Sequence, residues 1–396
     1  MPEKDEKINE LLERGVEKII DKDHLCKALM SGKKLRVKLG IDPTGPKIHI
    51  GRSTQLLKLR DFEDLGHQIV LIFGDFTAQI GDASDKDSMR KPLTESEVKD
   101  NMKDYMNQVG KILDIKKIEV RHNNEWLSKL SAKDLLALSM HFTAQQMIQR
   151  RNFKERWEGG KAIGIHELSY PLLQGYDSVA IKADIEIGGY DQLFNLTTGR
   201  EVQKIFNKPS QDIMTTKMIY GLDGRKMSTS WGNVINILDP PNEMYGKIMS
   251  LKDELIIDYL ELCTRYEMDE IKKMKEEMKE GKINPKDLKS ILAKEIIALY
   301  HGRKDADDSE KEFERVFKEK KLPSEMEQVE VKEKSLNIID LLVKTNIASS
   351  KSEAKRLISQ KGIKIDGEVK DDADSLVEIK KGMVIQSGRR KFVKII

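Results

Sequence analysis

Apolar positions recur along this chain in two rhythms, and the switches between them mark its elements. Val37, Leu39 and Ile41 alternate with a period of two and predict a strand. Pro43 and Gly45-Pro46 break it, and the spacing of Ile50, Leu56, Leu57 and Leu59 restarts the chain as a helix. Gln68-Ile-Val-Leu-Ile-Phe73 is a near-continuous apolar run ending at Gly74-Asp75, as expected of a strand buried on both faces of a parallel sheet. Strand, helix and strand together read as a βαβ unit. Upstream, Ile8, Leu11, Leu12, Val16, Ile19 and Ile20 are helically spaced and predict one or two amphipathic helices over residues 5–30.

Downstream, residues 77–90 are polar, punctuated by Gly81, and predict a mobile loop at the carboxyl end of the second strand, where open α/β sheets bind ligands. A short strand at 118–120 and a helix from about 132 to 150 follow. Asp184-Ile-Glu-Ile187 reads as a strand ending at Gly188-Gly189, with a helix through Phe194 and Val202 behind it. After Ser230 the pattern is helical over 254–263, 271–278, 288–300 and 310–318. Residues 319–334, charged and carrying Pro323, read as a linker. The tail alternates short helices with short strands around 362–367 and 377–379.

The fold class expected is α/β. A doubly wound, Rossmann-like parallel-sheet domain spans 1–230, with an insertion at about 120–165. A helical domain (231–318) and a small α+β module (335–396) follow the first domain and the linker, respectively.

Composition adds little until it is divided. The 396 residues carry a net charge of only +3, yet from Ser335 onward there are 13 Lys/Arg against 8 Asp/Glu, leaving 57 against 59 elsewhere. The basic excess is confined to the tail. Cys26 and Cys263 are too few and too far apart for a disulfide framework or a Cys-x-x-Cys metal site, so no zinc or other resident metal is expected and a reducing cytoplasm fits. No window approaches the ~20 apolar residues of a membrane span, and the charged N-terminus is unlike a signal peptide, so no membrane partner is expected.

Candidate chemistry gathers at two loops. His49 and Gly51 stand where the first sheet helix begins, a place suited to phosphate because of its backbone N–H groups and dipole. Gly224-Arg-Lys-Met-Ser-Thr-Ser230 is a polar, Gly-led loop with two cations and three hydroxyls. His49-Ile-Gly-Arg52 and Lys226-Met-Ser-Thr-Ser230 resemble the two signatures of class I aminoacyl-tRNA synthetases. Between them, Tyr170-Pro-Leu-Leu-Gln-Gly-Tyr-Asp177 and Gly188-Gly-Tyr-Asp-Gln192 are similar to the amino-acid pocket of tyrosyl-tRNA synthetases, and Ser352-Glu-Ala-Lys-Arg-Leu-Ile358 with Ile363-Lys-Ile-Asp-Gly367 resembles an S4-type RNA-binding module. The resemblance covers nearly the whole chain.

The resemblance implies a tyrosine–tRNA ligase that uses ATP with Mg2+, acts on L-tyrosine and tRNA(Tyr), and forms a homodimer through the insertion. It implies an ATP site of Gly40, Asp42, His49, Gly51, Gly188, Gly189, Asp191, Arg225, Lys226, Met227 and Ser228, with Thr44, Arg52, Lys86 and Arg90 assisting His49 and Lys226 at the phosphates. Asp82, Tyr170 and Gln174 would hold the substrate ammonium, Asp177 would accept from the phenol, and Gln192 would orient the carboxylate. Independently of family, Tyr170, Gln174 and Asp177 fall at i, i+4 and i+7, on one helical face. Lys351, Lys355, Arg356, Arg389 and Arg390 are the candidate RNA contacts in the tail.

Three positions depart from the pattern. Arg52 stands for the second histidine of one signature, Thr229 for the second lysine of the other, and Lys38 for a tyrosine that commonly flanks the substrate phenol. The competing readings are a synthetase for another aromatic amino acid and a catalytically silent paralogue that binds structured RNA.

Overall fold

Six strands form the sheet that positions everything in the N-terminal part of the chain: β1 (Val16–Ile20), β2 (Arg36–Ile41), β3 (Gln68–Phe73), β4 (Glu119–His122), β5 (Ile185–Gly189) and β6 (Asp212–Thr216). The computed structural model describes residues 2–82, 92–317, 322, 326–388 and 391–396. Strand order is β1-β6-β5-β2-β3-β4, parallel throughout except for β1, which pairs antiparallel with β6 at the edge. From β2 the chain builds outward through β3 and β4, then returns to lay β5 and β6 on the other side. The direction of winding therefore reverses between β2 and β5, and the carboxyl ends of those strands open a crevice.

β3 and β5 are buried along almost their whole length, as parallel strands covered on both faces should be. Ile69, Val70, Leu71 and Ile72 in β3 and Ile185 and Ile187 in β5 are among the core residues. Each Leu, Ile or Val so buried contributes about 1.5–3 kcal/mol relative to exposure. The Ile50–Asp64 helix packs on this sheet, and Leu56, Leu59 and Phe62 are fully buried on its inner face.

Two expected helical stretches are divided. Residues 5–30 form the Pro2–Glu13 helix, β1 and the Lys22–Met30 helix. Gly15, at φ 61°, ends the first helix, and Asp21, at φ 59°, opens the second by accepting from the His24 amide. The Val16 and Ile19-Ile20 positions fit either period, and pairing with the distant β6 decides for a strand. Residues 132–150 hold two helices, Ala132–Ser139 and Ala144–Ile148, because Ser131 and Thr143 each begin a capping box, with Asp134 and Gln146. The strand β6 itself had no counterpart in the pattern reading.

Contacts divide the chain into two compact units, Met1–Ala306 and Asp307–Ile396. The helices Pro241–Met249, Ile256–Cys263 and Pro285–His301 belong to the first. They are tied to the sheet layer by buried groups: Tyr300 Oη lies 2.7 Å from Ser53 Oγ, and Tyr259 Oη donates to Tyr220 O.

The second unit contains β7 (Glu327–Val329), β8 (Ser335–Asn337), β9 (Ile363–Ile365), β10 (Glu368–Lys370), β11 (Leu376–Glu378), β12 (Val384–Ser387) and β13 (Lys391–Ile395). A sheet ordered β10-β9-β12-β13-β7 and a two-stranded antiparallel sheet of β11 with β8 enclose a core that includes Ile338, Leu341, Ala354, Ile358, Ile385 and Val393. Asp366-Gly367, at φ 49° and 87°, makes the tight β9–β10 turn that an Asp-Gly pair favours. Within the stretch read as a linker, β7 pairs parallel with β13 and Val331 enters the core. Such pairing depends on a partner more than sixty residues away, which local charge does not reveal. Among the described residues no helix is long and apolar enough to cross a membrane.

Candidate active site

The crevice is a cleft of about 370 Å³. Its turn between β2 and the Ile50–Asp64 helix is held from outside. Asn101 Nδ2 donates to Pro43 O, Tyr105 Oη to Gly45 O and Gln108 Nε2 to Pro46 O, while Gln108 Oε1 accepts from Ile48 N. A Gly/Pro turn with few amides of its own thus has its carbonyls satisfied and its shape set.

Of the residues expected at the site, Gly40, Asp42, Thr44, His49, Gly51, Arg52, Asp82, Tyr170, Gln174, Asp177, Gly188, Gly189, Asp191, Gln192, Lys226, Met227 and Ser228 all line this cleft. Arg225 does not; its guanidinium pairs with Asp223 at 2.6 Å and stacks over Trp231. Lys86 and Arg90 lie outside the described residues, as do Arg389 and Arg390 of the tail. Lys351, Lys355 and Arg356 are exposed on the Lys351–Ser359 helix, with Lys351 2.8 Å from Asp340 and Arg356 3.5 Å from Glu353.

One end of the cleft is cationic. Arg52 donates to Thr44 Oγ1 at 2.9 Å and Asp42 O at 3.2 Å, while Lys226 Nζ reaches Asp191 Oδ2 at 3.0 Å. His49 is half-buried, and its desolvation together with the nearby Arg52 and Lys226 charges lowers its pKa to about 3. It is a neutral imidazole whose Nδ1 has no hydrogen-bond partner among the described residues. Of the first amides of the helix, Ile50 N donates to Ile235 O, while Arg52 N and Ser53 N both reach His49 O. Gly51 is required by space: a Cβ there would stand 2.8 Å from Ile219 Cγ2.

The other end is acidic and more deeply buried. The Ile165–Ala180 helix brings Tyr170, Gln174 and Asp177 to the cleft, as the i, i+4, i+7 spacing predicts. Tyr170 Oη donates to Asp42 Oδ2 at 2.9 Å; burial and the Asp42 charge hold its pKa far above the usual range, so it remains a phenol. Asp177 Oδ1 accepts from Trp126 Nε1 at 2.8 Å and Oδ2 from Asn123 Nδ2 at 3.3 Å. Burial raises the pKa of Asp177 to about 7, against the lowering effects of Lys38, Trp126 and Asn123. Asp82 accepts from Arg150 at 2.9 Å and from Gln192 Nε2 at 2.7 Å.

Several of these partners carried no sequence signal. Thr77 donates to Asp42 Oδ1, Asn123 donates to both Thr77 and Asp177, Arg150 is buried against Asp82, and Gly74 stands where a Cβ would lie 2.0 Å from Asp42 Oδ1. Gly74 follows the apolar run of β3, a position that could have marked a close approach. Lys38 lies behind the cleft wall, paired with Glu186 rather than lining the pocket.

Residues 30–318 match the family described as tRNA synthetases class I (W and Y), and residues 317–395 match the tyrosine–tRNA ligase SYY-like C-terminal domain. The chain is 47% identical to the tyrosine–tRNA ligase of Thermotoga maritima, over 97% of its own length and 96% of that protein. It is 44% identical to that of Moorella thermoacetica, over 97% and 94%. In fold it is similar to a C-terminally truncated mitochondrial tyrosyl-tRNA synthetase of Aspergillus nidulans, with a TM-score of 0.66, 22% identity, and coverage of 78% of this chain and 94% of that one. It is also similar to a tyrosyl-tRNA synthetase from Archaeoglobus fulgidus complexed with L-tyrosine, with a TM-score of 0.61, 23% identity, and coverage of 77% and 98%.

The ionisation of Asp177 gives a test within the cleft. With its folded pKa raised to about 7 from the ordinary 3.8 of an aspartate, the carboxyl's contribution to stability is full below about 3.8 and is lost as pH rises through about 7. A group that donates to this carboxyl meets a full carboxylate acceptor only above that value. Tyrosine affinity, read by calorimetry from pH 5.5 to 8.5, should rise with a midpoint near 7, and the rise should vanish in Asp177→Asn.

Proposed function

The chain belongs to the class I tRNA synthetase family of tryptophan and tyrosine enzymes, and from that premise we infer that it is a tyrosine–tRNA ligase. It joins L-tyrosine to ATP, releasing pyrophosphate, and passes the tyrosyl group to the 3′ end of tRNA(Tyr). The observation that carries the reading is the union, in one cleft, of a buried acceptor at Asp177 with the cationic end at Arg52 and Lys226. The relatives named above are tyrosine enzymes, which favours tyrosine over tryptophan.

The substrate ammonium has three N–H bonds and three acceptors to meet them: an Asp82 oxygen, the Tyr170 hydroxyl oxygen and Gln174 Oε1. Tyr170 already donates its proton to Asp42, so towards a ligand its oxygen accepts. At the far end of the pocket the phenol donates to Asp177. Phenylalanine in the same place would forgo this additional bond to a buried carboxyl, a loss on the order of 1–3 kcal/mol before any compensation.

Adenylate formation is an in-line attack of the tyrosine carboxylate on the α-phosphate, with a P–O bond formed and the bond to pyrophosphate broken. The nucleophile is already ionised, so no general base is needed. Negative charge growing on the phosphate oxygens is met by Arg52, Thr44, the N–H of His49 and Lys226, which exchanges Asp191 for phosphate. Asp191 and the Gly188-Gly189 backbone then face the ribose. Mg2+ arrives with ATP as part of that substrate. In the second step the tRNA 3′-terminal hydroxyl attacks the acyl carbon and AMP leaves.

The tail and the helical segment 231–318 receive the tRNA. Exposed Lys351, Lys355 and Arg356 on one helix support phosphate contact in the second unit. A homodimer through the insertion is supported by Leu136 and Met140, which are 66% and 84% exposed there. Both cysteines are free, in keeping with a cytoplasmic protein.

Lys226→Ala should slow the first turnover of adenylate formation by about 100-fold or more while leaving tyrosine affinity within about twofold, because its charge is used as the transition state forms. Pre-steady-state kinetics beside equilibrium binding separates the two quantities. A chain ending at Phe317 should retain pyrophosphate exchange and lose most tRNA charging. Equal loss of both activities together with a lower melting temperature would mean that the second unit only stabilises the first.

A further inference from the structure

A lysine in the middle of a central parallel strand is costly to bury, and Lys38 is fully buried. Its Nζ lies 2.8 Å from Glu186 Oε1, donates to Ser178 Oγ at 2.8 Å and to the Gln174 carbonyl at 2.9 Å. Glu186, on the adjacent β5, is 1% exposed. Besides Lys38, its Oε1 accepts from Gln174 Nε2 at 3.1 Å, and its Oε2 accepts from Ser178 Oγ at 3.2 Å and from Gln211 Nε2. Four donors on two oxygens suit a carboxylate. A buried pair of this kind seldom stabilises a fold more than apolar side chains of the same size would, so stability is a weak account of it.

Its geometric consequence is specific. A carboxylate only accepts, so the Gln174 amide must turn its NH2 to Glu186 and its Oε1 to the cleft. The chain of amides beyond enforces the same sense: Asn195 Nδ2 donates to Gln174 Oε1 at 3.1 Å and to Gln192 Oε1 at 2.8 Å, and Gln192 Nε2 donates to Asp82. With charged carboxylates at both ends, every amide has one orientation, and reversing Gln174 would set its NH2 against those of Asn195.

We propose that Lys38 and Glu186 are positioning residues for the amino-acid pocket: the pair fixes Gln174 so that its amide oxygen, rather than its NH2, faces the substrate ammonium. This rests on the tyrosine reading above. It also gives the lysine at position 38 a role without contact to the phenol.

The test uses the full-length protein and three ligands that differ in the groups flanking one ring: L-tyrosine, tyramine and 3-(4-hydroxyphenyl)propanoate, which lacks the ammonium. Lys38→Met alone would strand a buried carboxylate and destabilise the fold, so the decisive variant is Lys38→Met/Glu186→Gln, which removes both charges together. Its affinity for tyrosine and tyramine should fall about tenfold or more, the scale of one hydrogen bond to a charged group, with the propanoate held within about twofold. Equal loss on all three ligands would make the pair a packing element, and unchanged affinity for tyrosine and tyramine would show that Gln174 is oriented without it; either overturns the proposal. Wild-type protein that binds none of the three would overturn the tyrosine reading itself.

Discussion

The reversal of winding between β2 and β5 is the constraint on which the rest of the structure depends. Because β3 and β5 flank β2 on opposite sides, the loops leaving β2 and β5 part from one another and a cleft opens above them. Asp42 follows β2, Gly188-Gly189 end β5, and both stand at that opening. The polar loops after β3 and β6 then add Thr77, Asp82 and Lys226 to the same rim. A site drawn from residues 39 to 229 needs no further device to converge.

Placing charge at such a point demands compensation, and the cleft meets that demand in two ways. At the cationic end the charges are only part-buried, as with Lys226 on Asp191. At the acidic end Asp82 and Asp177, and behind them Glu186, are each tied to specific donors in a low-dielectric interior. The first arrangement suits a cation that must follow a moving phosphate. The second suits selection between similar side chains, where an unmatched buried group is what rejects the wrong one.

What could be read from the sequence follows from the range of the interactions involved. The strand at 37–41, the apolar run of β3, the i, i+4, i+7 face of Tyr170, Gln174 and Asp177 and the two polar loops are local patterns, and all were legible. β1 and β6 define each other across nearly two hundred residues, and β7 is a strand only because β13 lies beside it. Neither has a local signal. The same applies to Arg150, Asn123 and Glu186, whose importance lies in which carboxylate or amide each meets. Lys38 was legible as a departure from the resemblance, but its partner was not.

The central claim is that this cleft selects tyrosine and activates it. Amino-acid-dependent exchange of labelled pyrophosphate into ATP, run on the same full-length protein with tyrosine, phenylalanine and tryptophan, tests it most directly. The account predicts robust exchange with tyrosine and exchange at background with the other two, the discrimination expected of tyrosine-selecting synthetases generally. Exchange driven equally by phenylalanine or tryptophan, or no exchange with tyrosine, would contradict it.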